Sequence, residues 1–277
     1  MSWDFDSIPK YVINLDRRKD RWMQFQNTSG IDQLTNLRRW SGKDGKTINL
    51  DTDSNVSLIT KYNIVRGVRR SHMELNSKGG LGCYYSHIEV WKDFLEKSDK
   101  DVALVFEDDT ILSVEAVSRI KEFIAKSSVI QNTDMWDFCI LSPYKGNKKQ
   151  EQLHNDDPTC IRLVEFQGMT GYLINKKGVK KILPLVFPIQ VHIDWFLSIC
   201  AQLQYIELCT PPNPLLTVRL SRTDIQKTSD CEICDVETDF QKDHELVSKW
   251  RLRSFQIEEL FLLLAAFYIG GRILKKF

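Results

Sequence analysis

Residues 101–109 read DVALVFEDD. Val102 to Phe106 form an unbroken apolar run with no helical period, which predicts a short strand buried on both faces. The run ends in Glu107, Asp108 and Asp109. Three consecutive carboxylates at the rim of a low-dielectric core are costly, because each loses hydration and all repel one another. A divalent cation relieves that cost, and Mg²⁺ and Mn²⁺ take oxygen ligands. On an extended backbone alternate side chains share a face, which places Glu107 with Asp109. The alternative is a solvated acidic loop that caps the following helix, where carboxylates suit the helix dipole.

Outward from this stretch, strand and helix signals alternate. A helix is expected from Val114 to Lys126, then a strand from Trp136 to Ser142. Upstream, Tyr84, Ile88, Trp91 and Leu95 recur on one helix face, directly after the GGLG of residues 79–82. Near the start, KYVINL (10–15) reads as a buried strand that breaks into DRRKDR (16–21) and a helix, and Leu37–Trp40 as a short strand. Residues 51–80 read as loop with one or two short helices, and 145–158 as a polar loop. Strands are expected at Cys160–Phe166, Gly171–Asn175 and Tyr205–Cys209, with helices around Lys177–Leu183 and Asp194–Leu203. This order predicts an α/β fold with helices on both faces of the sheet. Ligands of such sheets bind at the carboxyl ends of the strands.

Composition narrows the class. The 277 residues are 42% apolar and 27% charged with a formal net charge of +1, which argues against a disordered chain, a collagen or a polytopic membrane protein. Near-neutrality gives no general attraction to nucleic acid, so any anion site must be local. Seven scattered cysteines do not resemble a secreted disulfide framework, and MSWDFDSIPK lacks the profile of a signal peptide. The expectation is a cytoplasmic protein. Cys231 and Cys234 form a lone CxxC, for which only Cys200 and Cys209 are nearby partners, short of a convincing zinc site.

Two strand ends carry opposite charge. DRRKDR supplies Arg17, Arg18, Lys19 and Arg21 at a helix start, where guanidinium groups and free backbone N–H groups favour phosphate. EDD supplies acid. Together they suggest a nucleotide diphosphate bridged by a metal, against the plainer reading of two solvated loops. GGLGCYYSH (79–87) adds glycines that permit close backbone approach to a ligand, followed by Ser86 and His87.

The order YVINLDRRKDR, RRWSGKDG, GGLGCYYSHIEVW, ALVFEDD, GMTGYLINKKGVKKIL and HIDWFL resembles glycosyltransferase family 25, over roughly residues 9–226. That family includes lipooligosaccharide and collagen galactosyltransferases. The resemblance implies a GT-A-like nucleotide-diphospho-sugar transferase fold, a single mixed, mostly parallel sheet flanked by helices. It also implies a UDP-sugar donor, Mn²⁺ (or Mg²⁺) and an inverting mechanism. By position, Asp109 and Glu107 become metal ligands, with Asp108 in support. Arg21, Asp44, Ser86, His87 and Asp108 go to the donor nucleotide, and Asp194 near the acceptor to the catalytic base. Arg219, Arg222 and Asp224 would close over the diphosphate. Trp195 or Tyr172 would either stack on a sugar or pack in the core. Asp194 has its own plainer reading as a cap of the helix that follows it.

The transferase domain is expected over residues 1–238 and a C-terminal helical segment over 239–277. The apolar run LFLLLAAFYIGG (260–271) is too short to span a bilayer. It is read as a buried packing helix, or as a homodimer or peripheral membrane contact through residues 255–277. The expected partners are a nucleotide-sugar donor and a glycan, lipid-linked or glycoprotein acceptor receiving galactose or glucose. The rival functions are an inactive sugar- or nucleotide-binding module and a metal-dependent nucleotide-sugar hydrolase.

Overall fold

The structure, a computed structural model, describes residues 3–152, 157–219 and Ile225, and for 145–152 the course of the backbone. The predicted C-terminal segment 239–277, the contact predicted for 255–277, Cys231, Cys234, Arg222 and Asp224 lie outside the described residues. The elements below belong to one compact unit, within Met1–Arg69 and Met73–Lys227.

The chain opens with strand β1 (Lys10–Asn14), helix α1 (Lys19–Gln26), strand β2 (Leu37–Ser41), helix α2 (Leu58–Arg66) and the long helix α3 (Lys78–Lys97). Strands β3 (Val102–Glu107) and β4 (Thr110–Ile111), helices α4 (Val114–Lys126) and α5 (Ser128–Gln131), and strands β5 (Phe138–Ile140) and β6 (Lys145–Gln152) follow. Then come β7 (Ile161–Gln167), β8 (Gly171–Asn175), α6 (Lys176–Ile182), α7 (Ile193–Gln202), β9 (Leu208–Thr210) and β10 (Thr217–Val218). Local chemistry starts the helices. Ser57, Ser77, Ser113 and Asn175 cap α2, α3, α4 and α6, each side chain accepting from the amide three residues on. Gly67, at φ 68°, ends α2 in the left-handed conformation that glycine adopts without strain.

Eight strands form one sheet in the order β2-β1-β3-β8-β5-β9-β7-β6, and β4 pairs separately with β10. Following the pairings, six of the eight strands run one way and β8 and β7 the other. The sheet is therefore mixed and mostly of one direction, as expected. The stretch 145–152, expected as loop, is instead an edge strand on β7.

Helices cover both faces. Ala103 and Val105 of β3 face one apolar cluster with Trp91, Phe94, Tyr172 and Leu197. Leu104 and Phe106 face a second, with Val12, Val117, Ile120 and Phe123. This two-sided burial is why β3 is continuously apolar. Among the described residues no helix is long and apolar enough to cross a membrane.

The consequence for function is one of register. β3 lies parallel to β1, with Ile13 opposite Glu107, and β1 lies parallel to β2. The charged ends of the first and third strands therefore emerge side by side at one carboxyl edge.

Candidate active site at the carboxyl edge of the sheet

At Glu107 the strand stops, and Asp108 and Asp109 form a turn. The strict alternation expected of an extended backbone ends there. Asp108 turns inward, 5% exposed. Its carboxylate accepts from Asn14 Nδ2 at 2.6 Å and from Arg21 Nη1 at 2.9 Å. Burial raises its pKa above the ordinary value against the pull of these two donors. Arg21 thus bridges α1 and the acidic turn, and its Nη1 is also 3.7 Å from Asp109 Oδ2.

Asp109 is the anomalous group. Its Oδ1 is buried and has no hydrogen-bond partner. Burial, then the neighbouring Glu107 charge, push its pKa from an ordinary 3.8 up to about 7. The Arg21 guanidinium, 3.7 Å from Oδ2, offsets only part of this cost. The turn is fixed through the backbone: Arg219 N donates to Asp109 O at 2.8 Å, beside the β4·β10 pairing. Arg219 Nη2 donates to Gln24 O of α1 at 3.3 Å, so this residue links the acidic turn to α1.

A polar chain extends the edge to β2. Ser41 Oγ donates to Asp16 at 2.6 Å. Arg39 Nη2 donates to Asp16 Oδ1 and to Asn14 Oδ1, each at 2.7 Å, and Asn14 passes the chain on to Asp108. Such fully paired charge fixes geometry at the strand ends. Asn14, Asp16 and Arg39 were not singled out in the sequence, where each is an ordinary polar residue; only the parallel pairing of β1 and β2 makes them a network.

Arg17 pairs with Asp44 at 2.7 Å. Against the cost of its partial burial, the Lys46 amide and the Arg17 guanidinium hold the Asp44 carboxyl below its usual value. Asp44 starts a tight turn over Gly45–Thr47 that docks on the first turns of α3. Here the glycine expectation is corrected. Gly79–Gly82 is not a loop before the helix, because α3 starts at Lys78 and the glycines lie inside it. A Cβ on Gly82 would fall 2.4 Å from Lys43 O, and one on Gly45 would fall 1.9 Å from Lys78 O. These glycines let two backbones touch. Ser86 locks the contact: Lys43 N donates to its Oγ at 2.8 Å, and that hydroxyl donates to Gly82 O at 2.6 Å.

His87 is fully buried behind the acidic strand end. Its Nδ1 lies 2.8 Å from the Tyr172 hydroxyl, which also accepts from Trp91 Nε1 at 3.0 Å. Its Nε2 lies 3.3 Å from Glu107 Oε1. Cys83, one helical turn earlier, donates to the same Oε1 at 3.8 Å. Tyr172 is 0% and Trp195 8% exposed, so both belong to the core.

Asp194 lies in the first turn of α7, while His192 occupies the cap position. The Asp194 carboxylate accepts from Gly168 N at 2.9 Å and Trp195 N at 2.8 Å. It lies close enough to Cys83 that, after burial and Glu107, its charge and that of Asp109 push the Cys83 thiol well up. The charges of Glu107, Asp109 and Asp194 therefore all bear on Cys83, although Asp194 is 85 residues from the strand-end turn in sequence. A cleft lined by Asp101, Asn175, Lys176 and Lys180 lies at the opposite end of β3 and shares none of these groups.

Residues 7–197 match the model of glycosyltransferase family 25 (LPS biosynthesis protein). Procollagen galactosyltransferase 2 of Homo sapiens is 27% identical over 203 residues, which covers 70% of this chain and 30% of that protein. The Mus musculus protein of the same name is 26% identical over 204 residues, with the same coverage. A Bos taurus protein called probable inactive glycosyltransferase 25 family member 3 is 24% identical over 180 residues, 65% of this chain and 29% of its own. The chain thus spans about a third of the length of these relatives. It belongs to glycosyltransferase family 25.

Proposed function

We propose that the chain is an inverting glycosyltransferase of GT-A-like fold that moves galactose or glucose from a UDP-sugar to a hydroxyl of a glycan, lipid-linked or protein acceptor. One observation carries this reading. A basic helix start and an acidic turn meet at one strand edge, and one acid there, Asp109, has a buried oxygen with no hydrogen-bond partner. The donor set fits Mn²⁺ or Mg²⁺, since Asp109 and Glu107 offer hard carboxylate oxygens. When bound, the cation would neutralise charge on the leaving diphosphate.

The chain's own groups do the rest. Arg21 and the Arg17–Asp44 pair hold the nucleotide, with Arg219 over the diphosphate. Asp108, Ser86 and His87 act from behind, fixing respectively Arg21, the Asp44 turn and Glu107. Asp194 is the base that takes the acceptor hydroxyl proton as the sugar departs. Its two backbone amide donors aim the carboxylate.

The test is thermal unfolding against nucleotides with and without Mn²⁺, followed by donor turnover with an acceptor panel. UDP and one UDP-sugar at about 100 times the dissociation constant should add roughly 2.7 kcal/mol of stability in the presence of Mn²⁺. Asp194→Asn should retain that stabilisation and lose about a hundredfold in transfer. Stabilisation without turnover under any acceptor would instead support an inactive binding module, which the bovine relative's name makes the specific rival. Donor breakdown indifferent to acceptor would support a hydrolase.

A further inference from the structure

Cys83 and His87 stand four residues apart on α3, hence on one face of the helix. Both aim at a single oxygen, Glu107 Oε1, at 3.8 and 3.3 Å. The three ligand atoms lie within 4.8 Å of one another. Two ligands of a tetrahedral zinc ion, at about 2.0 to 2.3 Å from the metal, are separated by roughly 3.3 to 3.6 Å. Small side-chain adjustments therefore suffice to close the set on an ion.

From this geometry we infer that Cys83, His87 and Glu107 form a binding site for a zinc-class divalent cation. This site goes beyond the transferase reading, which needs only the oxygens of Glu107 and Asp109. Three features support it. The thiolate and imidazole select borderline-soft metals over Mg²⁺ and Mn²⁺. The far nitrogen of His87 already meets the Tyr172 hydroxyl at 2.8 Å, and Trp91 in turn holds that hydroxyl. Metal-binding histidines are oriented by such an outer partner. Finally, Glu107 and Cys83 are only half-buried, which leaves the ion an open fourth position.

Glu107 belongs to both donor sets, and only its Oε1 faces the thiol and the imidazole.

The experiment uses the full chain carrying C231S and C234S, so that those two thiols add no cobalt–thiolate absorption of their own. Co²⁺ serves as a spectroscopic probe of the site. It should give a near-ultraviolet cobalt–thiolate absorption that one equivalent of Zn²⁺ abolishes and excess Mg²⁺ does not. Adding Cys83→Ser should remove the band and weaken zinc binding at least tenfold. Should that variant misfold, the parent decides: Zn²⁺, and not Mg²⁺, should shield Cys83 from iodoacetamide, read at the level of the peptide. No cobalt–thiolate band, a band that survives Cys83→Ser, or alkylation of Cys83 indifferent to zinc would overturn the site. Loss of UDP binding with zinc binding intact would count against the transferase reading alone.

Discussion

Asp109→Asn should make the metal-free protein more stable and the enzyme inactive. Asp109 ionises near pH 7 in the folded chain against 3.8 ordinarily. Between those values the folded state holds a proton that the unfolded state has lost, so stability falls as pH rises through this window. Above pH 7 the whole cost is present, and the difference corresponds to about 4 kcal/mol. Asparagine removes the charge but still buries an amide, which leaves a net gain of about 2 kcal/mol at pH 8. For a unit of this size that is a rise in Tm of about 4 to 8 °C. The gain should shrink as pH is lowered through this window and reverse at about pH 5, where the remaining charge cost falls below that of the buried amide. Transfer should fall by about a thousandfold or more, through loss of a metal ligand at the diphosphate. Mn²⁺ should stabilise the parent and not the variant. Calorimetry at pH 4, 6 and 8, with and without Mn²⁺, checks all of this. A variant destabilised at pH 8 would show that Asp109 is satisfied in the free protein and is not held for a cation.

The opposition of stability and activity at one residue is characteristic of a prepared ion site. Asp108, its neighbour, shows the contrasting solution. It is the less exposed of the two, yet Asn14 and Arg21 satisfy it. Two adjacent aspartates thus divide the work. One ties the acidic turn to α1, and the other, on the transferase reading, is left for a ligand.

What could be read from the sequence follows the range of the forces involved. β3 was legible because burial on both faces writes an apolar run, and α4 because its cap and 3.6-residue period are local. The coincidence of acidic and basic strand ends needed only the rule that ligands sit at carboxyl edges. Edge strand β6 was not legible. KGNKKQEQ carries no period, and its extended form comes from backbone pairing with β7. The Cys83, His87 and Glu107 cluster joins a helix face to a strand end, and Asp194 reaches it from a third element; no spacing within one segment announces such a meeting. Asn14 and Arg39 were invisible for the same reason.

The glycines of α3 give the sharpest test of local against tertiary reading. Helix propensity alone says that Gly82→Ala, inside a 20-residue helix, should stabilise by about 1 kcal/mol. A phosphate-cradling role would add only a loss of donor affinity. The structure predicts the opposite sign. The new Cβ would stand 2.4 Å from Lys43 O and 2.8 Å from Gly45 N, backbone atoms with no rotamer to give. Gly45→Ala is worse, at 1.9 Å from Lys78 O. Overpacking of this kind costs about 3 kcal/mol or more. Gly45→Ala should therefore lower Tm by roughly 6 to 12 °C, and Gly82→Ala by somewhat less after the propensity gain. Because the Ser86 hydroxyl binds both Lys43 N and Gly82 O, prying these backbones apart also frees the turn that carries Asp44 and loosens its ion pair with Arg17. UDP affinity should then fall in both variants along with stability. If Gly82→Ala instead raised Tm and weakened only donor binding, the glycines would be facing the ligand after all, and the close approach of α3 to the 43–45 turn would not be what they serve.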